Sequence, residues 1–100
     1  MFGLKDIQIT SIQSVFKNYS IIHKAILYGS RAKGNYRNGS DIDLTLMGDD
    51  IDLSTLFKIE NELDDLLLPH KIDLSIFSKI DNADLINHII RNGIVFYEQL

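Results

Sequence analysis

The chain has 100 residues, 45% of them hydrophobic and 24% charged, which indicates one globular domain over residues 1–100 and excludes a disordered segment. It contains no cysteine, which excludes a disulfide framework, a thiolate metal site and a cysteine nucleophile. The net charge of −4 divides unevenly: residues 1–37 hold six basic groups against one acid, and residues 38–100 hold four against thirteen.

The first half of the chain predicts a helix, two strands and a loop. Apolar residues spaced by three or four predict an amphipathic helix over about 5–18. A short apolar run over 25–28, ended by Gly29, predicts a buried strand that meets a turn. Residues 30–40 are rich in Gly, Ser and Asn and predict a loop with room for one helical turn. Alternation over 41–47 predicts a second strand with residues 42, 44 and 46 on the core face.

The second half predicts two helices and two further strands. A long amphipathic helix begins at Asp52 and is stopped by Pro69, and its apolar stripe from Phe57 to Leu67 is expected in the core. The remaining predicted elements are a strand over 72–77, a helix marked by apolar residues over 85–90 with Gly93 as its C-cap, and a strand over 94–97. The order α-β-loop-β-α-β-α-β predicts an α/β domain with a small sheet.

Three aspartates are the first candidates for chemistry. Asp41 and Asp43 are two residues apart on a strand, so their side chains leave the same face. A crossover through the helix of residues 52–68 would make the second and third strands parallel and bring Asp73 to the same edge. Three carboxylates held together suit a hard divalent ion such as Mg²⁺. The alternative is that each belongs to the polar face of a half-exposed strand.

The turn at Gly29 and Ser30 is the second candidate. Glycine lets backbone N–H groups approach an anion closely, Ser30 adds a hydroxyl donor, and Arg31 and Arg37 place positive charge nearby. It is not a P-loop, because the required Lys and Ser/Thr do not follow the second glycine. A local basic segment can hold a small polyphosphate, although a chain this acidic is a poor binder of duplex nucleic acid. An ordinary solvated charge pattern would also explain the basic residues.

Histidines and aromatic residues favour structural roles. His23, His70 and His88 show no metal-ligand spacing, and His88 stands one helical turn after Asp84, which predicts a surface pair. Tyr28 is expected in the core. Tyr36 lies at the tip of the loop, where its ring could stack on a base.

Together these motifs resemble the signature of the DNA polymerase β-like nucleotidyltransferase superfamily. The segments that carry the resemblance are Leu27-Tyr28-Gly29-Ser30-Arg31-Ala32-Lys33-Gly34, then Arg37, then Ser40-Asp41-Ile42-Asp43-Leu44, with Asp73 as the later acid. Ten residues separate Ser30 from Asp41, as in the minimal nucleotidyltransferases, the MNT group. The sequence departs from the family pattern at Lys33, where Arg is common, and at Asn38-Gly39, where Pro-Asp is frequent.

The resemblance implies a fold and a set of ligands. The fold would be a small mixed sheet of three to four strands with helices packed mainly on one face. Asp41, Asp43 and Asp73 would hold two Mg²⁺ ions and act as the catalytic acids. The nucleotide donor, ATP, would lie on the turn and loop, whose binding residues would be Gly29, Ser30, Arg31, Arg37 and Ser40.

The resemblance also implies a partner. Minimal nucleotidyltransferases are similar to this chain in length and typically pair with a separate all-helical HEPN-type protein, in some cases as an antitoxin that adenylylates a toxin tyrosine. The favoured hypothesis is therefore a protein adenylyltransferase. The alternatives are a binding module that neutralises a helical partner sterically, and a subunit of an aminoglycoside-type transferase. Self-association stays open. No apolar run approaches the roughly 18 residues of a membrane span, and no secretory signal is evident, so a cytoplasmic location is expected.

Overall fold

A computed structural model describes all of residues 1–100 and contains one four-stranded sheet with helices on both faces. The helices are α1 (Asp6–Lys17), α2 (Ser30–Lys33), α3 (Leu53–Asp64) and α4 (Ala83–Asn92). The strands are β1 (Ile22–Tyr28), β2 (Ile42–Gly48), β3 (Ile72–Ile76) and β4 (Ile94–Glu98), and a short 3₁₀ helix spans Phe77–Lys79. The predicted element order is confirmed. No helix combines the length and the apolar character that crossing a membrane requires.

The sheet is mixed, with strand order β3-β2-β1-β4. Strands β1 and β2 are antiparallel neighbours, β1 and β4 are also antiparallel, and β2 and β3 are parallel. The crossover through α3 explains the parallel pair, as a connection of this length and content allows. Both pairings expected for β2 are thus confirmed. They fix which residues of the three strands lie side by side.

The main core lies on one face of the sheet, under α1 and α3. Residues 42, 44 and 46 of β2 point into it and are fully buried, as their alternation predicts. Residues contributed by the two helices complete this core: Ile12, Val15, Phe16, Leu56, Ile59 and Leu63. At about 25 cal/mol per Å² of apolar surface removed from water, this face supplies most of the hydrophobic stabilisation.

The opposite face carries a smaller core and an open polar region. Ile26 and Tyr28 of β1 alternate with the main-core residues and pack against Ile89 of α4. Leu85 and Phe77 border this cluster. Helix α4 packs on β1. The odd-numbered residues of β2 and β3 point to the same face of the sheet, beside α4, and are the residues available there for a functional site.

Helix α3 differs from its prediction in length and in the face that it buries. It ends at Asp64, and Leu67 adopts a positive φ of 56°, so the chain leaves the helix before Pro69. Acidic residues in the last turn oppose the helix dipole, and proline disfavours helical backbone at the residue before it. Phe57 and Leu67 are 58% and 87% exposed, so the prediction of a core stripe from Phe57 to Leu67 is wrong at both ends.

Strand β1 begins at Ile22, three residues before the predicted start. The intervening His23 and Lys24 are polar and hide the strand from a search for apolar runs. Each makes a cross-strand or loop pair: His23 with Asp49 at 3.1 Å and Lys24 with Glu98 at 3.4 Å. These pairs are exposed and contribute little to stability.

Candidate active site

The turn after β1 requires glycine at its first position. Gly29 has φ 77° and ψ −155°, a conformation that side-chain-bearing residues almost never adopt. A Cβ built on Gly29 would also overlap the Asp43 carboxylate. The one-turn helix α2 follows, in which the Lys33 N–H donates to the Gly29 carbonyl at 3.1 Å. The turn therefore lies directly against one of the predicted acids.

Strand register brings the predicted acids to one face. Asp43 pairs with Tyr28 of β1 on one side and with Asp73 of β3 on the other. Asp41 precedes β2 by one residue and is exposed, Asp43 is half-buried and Asp73 is exposed. Because neighbouring strands lie about 4.8 Å apart and alternate residues about 6.6 Å apart, all three backbone positions lie within about 8 Å of one another. The backbone thus gathers the acids at the edge next to the turn.

The pKa of Asp43 shows that the three acids interact electrostatically. The pKa of Asp43 is raised above its ordinary value, first by burial and then by the negative charges of Asp73 and Asp41. Arg31 and His88 act in the opposite direction on the same pKa. Like charges that raise a carboxyl pKa in this way are relieved by a proton or by a cation between them.

The carboxylates are not gathered around one point. No group of three or more His, Cys, Asp or Glu side chains lies close enough together to hold a metal ion. The convergence of three carboxylates that the sequence predicts is therefore not formed with these side-chain orientations. The donor set nevertheless suits a hard divalent cation, since all three residues are carboxylates on one face. The assignment of Asp41, Asp43 and Asp73 as metal ligands stays a prediction.

A layer of hydroxyl groups lies beside the acids. The Ser75 hydroxyl of β3 donates to the Thr45 hydroxyl of β2 at 2.9 Å, one alternate position beyond Asp73 and Asp43. Burial raises the pKa of the Tyr28 hydroxyl, a hydrogen bond with Ser75 opposes this, and the two acids raise it further. Tyr28 is buried, as expected, and its polar end faces the acids. This layer was not anticipated, because no sequence motif marks it.

Arg31 is buried, with only 2% of its surface exposed. Its guanidinium donates twice to the Ser40 carbonyl, at 2.8 and 3.2 Å, once to the Phe2 carbonyl at 2.8 Å, and once to Nδ1 of His70 at 3.2 Å. Four of its five N–H groups are thus used inside the protein. The Tyr36 ring covers the guanidinium at 5.3 Å. Arg31 therefore stabilises the loop and the segment before β3. This structural role differs from the predicted role of Arg31, which is contact with a nucleotide.

Ser40 and Arg37 close the loop that precedes β2. The Arg37 N–H donates to the Ser40 hydroxyl at 2.8 Å, and the Ser40 N–H donates to the Arg37 carbonyl at 3.0 Å. The Ser40 carbonyl is engaged by Arg31, so the N–H, the carbonyl and the hydroxyl oxygen of Ser40 all take part in hydrogen bonds within the protein. The Arg37 side chain is exposed and forms no ion pair, so it remains free for a ligand. Nucleotide binding by either residue stays a prediction.

His88 is the residue that sequence reasoning misplaced. Its Nε2 accepts a hydrogen bond from the Gly29 N–H at 3.3 Å, and its ring stands edge-on to Tyr28 at 6.3 Å. It forms no ion pair with Asp84, so the surface pair predicted from helical spacing is wrong. His70 contacts the Arg31 guanidinium through Nδ1. Burial, and then the positive charge of Arg31, lower the pKa of His70. Only the packing of α4 on β1 brings His88 to the turn.

Comparison with solved structures shows the same fold in toxin–antitoxin complexes. A toxin–antitoxin complex with AMP-PNP has 20% sequence identity and a TM-score of 0.73, covering 96% of this chain and 75% of that chain. A tri-AMPylated Shewanella oneidensis HEPN toxin in complex with MNT antitoxin has 16% identity and a TM-score of 0.70, with coverage of 96% and 74%. The MntA-HepT toxin–antitoxin has 16% identity and a TM-score of 0.69, with coverage of 95% and 74%. Identities this low establish the fold alone.

Sequence comparison identifies the family. No curated protein matches the sequence significantly. The family profile described as polymerase beta, nucleotidyltransferase, matches residues 10–99, which include the Gly-Ser turn and all three acids. The chain therefore belongs to the polymerase beta nucleotidyltransferase family.

Proposed function

We propose that this protein is a Mg²⁺-dependent nucleotidyltransferase that transfers AMP from ATP to a hydroxyl group of a HEPN-type partner protein. The observation that carries the proposal is the contact between the turn and the acids. Gly29 lies so close to Asp43 that no side chain fits between them, and Asp43 is flanked by Asp73 in register. A phosphate bound by the turn would therefore lie within reach of the acids.

The three acids would hold the metal ions. Asp41, Asp43 and Asp73 provide carboxylate oxygens on one face, and the raised pKa of Asp43 indicates mutual repulsion that a cation would relieve. Bound Mg²⁺ would neutralise phosphate charge and lower the pKa of the attacking hydroxyl. The half-buried position of Asp43 limits competition from water at the centre of the site.

The remaining steps belong to the chain's own groups. The N–H groups of the turn and the Ser30 hydroxyl would bind the phosphates and hold the α-phosphorus near the acids. Asp73 would accept the proton of the acceptor hydroxyl as its oxygen forms a bond to the α-phosphorus. The bond from that phosphorus to the bridging oxygen breaks, and pyrophosphate leaves with the electron pair.

A separate partner protein would supply the acceptor. Solved structures that share this fold include complexes of a toxin with an antitoxin, and one of those toxins is tri-AMPylated. Two of the three acids, Asp41 and Asp73, are exposed. We infer that the partner brings its hydroxyl group to this face of the sheet.

The test compares the wild-type chain with the variant Asp41→Asn/Asp43→Asn. The chain is purified from its native host with whatever small protein accompanies it, and the complex is incubated with α-labelled ATP and Mg²⁺. Wild type is expected to label the partner. Because loss of one metal ligand reduces activity by tenfold or more, the double variant should leave no measurable transfer. Asp49→Asn/Asp50→Asn, which removes two exposed acids elsewhere, is the matched control and should retain labelling.

The same variant tests the second candidate function. The separated carboxylates favour a binding module that neutralises its partner by covering it. In that case the double variant would still protect cells that express the partner. If modification is the function, the double variant keeps partner binding and loses both labelling and protection. Full protection by the double variant would overturn the catalytic proposal.

A further inference from the structure

One face of α4 forms a polar depression of about 400 Å³ beside the turn. Its lining contains no apolar side chain and consists of Asp84, Asn87, His88, Arg91 and Asn92. These positions recur every three or four residues, so they share one face of the helix while Ile89 is buried against the sheet. Arg91 is exposed and forms no ion pair. We call this set of five residues the α4 wall.

The Gly29 N–H is directed at the α4 wall. It donates to Nε2 of His88 at 3.3 Å, so this nitrogen is the unprotonated one. The neutral ring then carries its proton on Nδ1, which lies 3.3 Å from the Asn92 side-chain amide. The Asn92 atom nearest to Nδ1 is the amide nitrogen, and two donors cannot face one another, so the amide must be flipped for its oxygen to accept this proton. In that orientation Asn92 holds the imidazole with its acceptor nitrogen on the turn.

The hydrogen bond from Gly29 locates an acceptor position. Any oxygen that takes this N–H must replace Nε2 of His88 and will lie between the turn and α4. Resting on the proposed function, we propose that Arg91 of the α4 wall completes the phosphate site, as the cation that contacts the triphosphate of the nucleotide. His88 occupies the Gly29 N–H until a phosphate oxygen takes its place.

Charge and chemistry support a phosphate ligand. Arg31, the arginine of the turn, has four of its five donors occupied inside the protein. Lys33 and Arg37 are exposed cations on the turn's own side of the site, and Arg91 adds a third from the helix whose His88 receives the Gly29 N–H. The wall offers the Arg91 guanidinium and side-chain amides, has Asp84 as its one carboxylate, and contains no hydrophobic residue. Guanidinium groups match phosphate oxygens in geometry and charge.

The test measures binding by titration calorimetry with two probes, ATP and inorganic tripolyphosphate, each with Mg²⁺. Arg91→Ala should weaken both by about tenfold, the effect of one charge-assisted hydrogen bond at an exposed site. Arg91→Lys should recover part of the loss for both, because it restores the charge without the planar fork. Lys58→Ala is the control, since it removes an exposed cation from α3 on the other face of the sheet and should bind as wild type does.

His88→Ala tests the placement of the anion. This change removes a competing acceptor from the Gly29 N–H, so both probes should bind at least as tightly as to wild type. Urea unfolding of each variant confirms that the fold is intact. Equal binding by wild type and Arg91→Ala, or weaker binding by His88→Ala, would overturn this inference and leave the proposed function standing. Failure of wild type to bind ATP would overturn both.

Discussion

Replacement of Arg31 with alanine should strongly lower the free energy of unfolding of the protein. The substitution leaves three acceptors without their donor: the Ser40 carbonyl, the Phe2 carbonyl and Nδ1 of His70. At ~1 kcal/mol for each orphaned acceptor, the loss is about 3 kcal/mol. A domain of this size has a free energy of unfolding of roughly 5–15 kcal/mol, so the loss is a large fraction of the total.

The assay is urea and thermal unfolding of the wild type, Arg31→Ala and Arg31→Lys. A loss of about 3 kcal/mol corresponds to a fall in Tm of roughly 12–24 °C for a domain near 100 residues. Arg31→Lys keeps the charge and up to three donors but cannot form the same fork, so it should fall between the other two. A control at an exposed position, Lys33→Ala, should change Tm by little.

The same change should disturb the site. Ser40 directly precedes Asp41, and His70 lies shortly before β3, which carries Asp73. Arg31→Ala should therefore weaken nucleotide binding even under conditions in which the variant is folded. A loss of less than ~1 kcal/mol in Arg31→Ala would refute the reasoning, since it would mean that water or other donors satisfy all three acceptors.

Three further predictions concern Gly29, Asp43 and His70. Gly29→Ala should prevent nucleotide binding and lower Tm sharply, because a Cβ at this position overlaps Asp43. The control Gly34→Ala, also at positive φ but in open space, should lower the free energy of unfolding by only about 1 kcal/mol in thermal unfolding. Equal losses in the two variants would contradict the close approach of Gly29 to Asp43. Asp43→Asn should raise Tm at pH 7, because the raised pKa of Asp43 means that its ionised form destabilises the fold. The gain should vanish below pH 3.8, where the carboxyl is protonated in both states, and a constant gain across that range would count against it. Because the pKa of His70 is lowered, its contribution is present above pH 6.5 and is lost as pH falls through the folded value. Wild type should therefore lose stability relative to His70→Asn between pH 7 and 5 in urea unfolding, and parallel curves would refute this.

Much of the fold and the position of the acids could be predicted from local pattern. The period of two along β2 correctly assigned Ile42, Leu44 and Leu46 to the core. The length and helical content of the connection after β2 correctly implied a parallel partner, which put Asp73 beside Asp43. These inferences succeeded because alternation and connection length act within one segment or between two neighbouring ones.

The errors arose where tertiary packing decides the outcome. Helix α3 could rotate to bury Leu56, Ile59 and Leu63 and leave Phe57 exposed, since its sequence is apolar over a wide stripe. The burial of Arg31 depends on carbonyl groups from Phe2 and Ser40, which no spacing rule connects. The motif alone could not show this.

His88 illustrates the same limit at the site. The spacing of His88 from Asp84 favoured a surface pair. The imidazole instead lies at the Gly29 N–H, because Ile89 of the same helix packs against Ile26 and Tyr28. The separation of the carboxylates could not be predicted either, because no spacing rule fixes which rotamer each aspartate adopts.

The central claim is that the turn and the acids transfer a nucleotidyl group. The most direct measurement incubates the chain and its co-purified partner with Mg²⁺ and ATP labelled either at the α- or at the γ-phosphate. We expect the α-label to appear on the partner and the γ-label to leave as pyrophosphate, because in the proposed reaction the α-phosphorus would lie beside Asp43 and be the one attacked. Transfer of the γ-label to the partner, or no transfer of the α-label by the wild-type complex, would contradict the account.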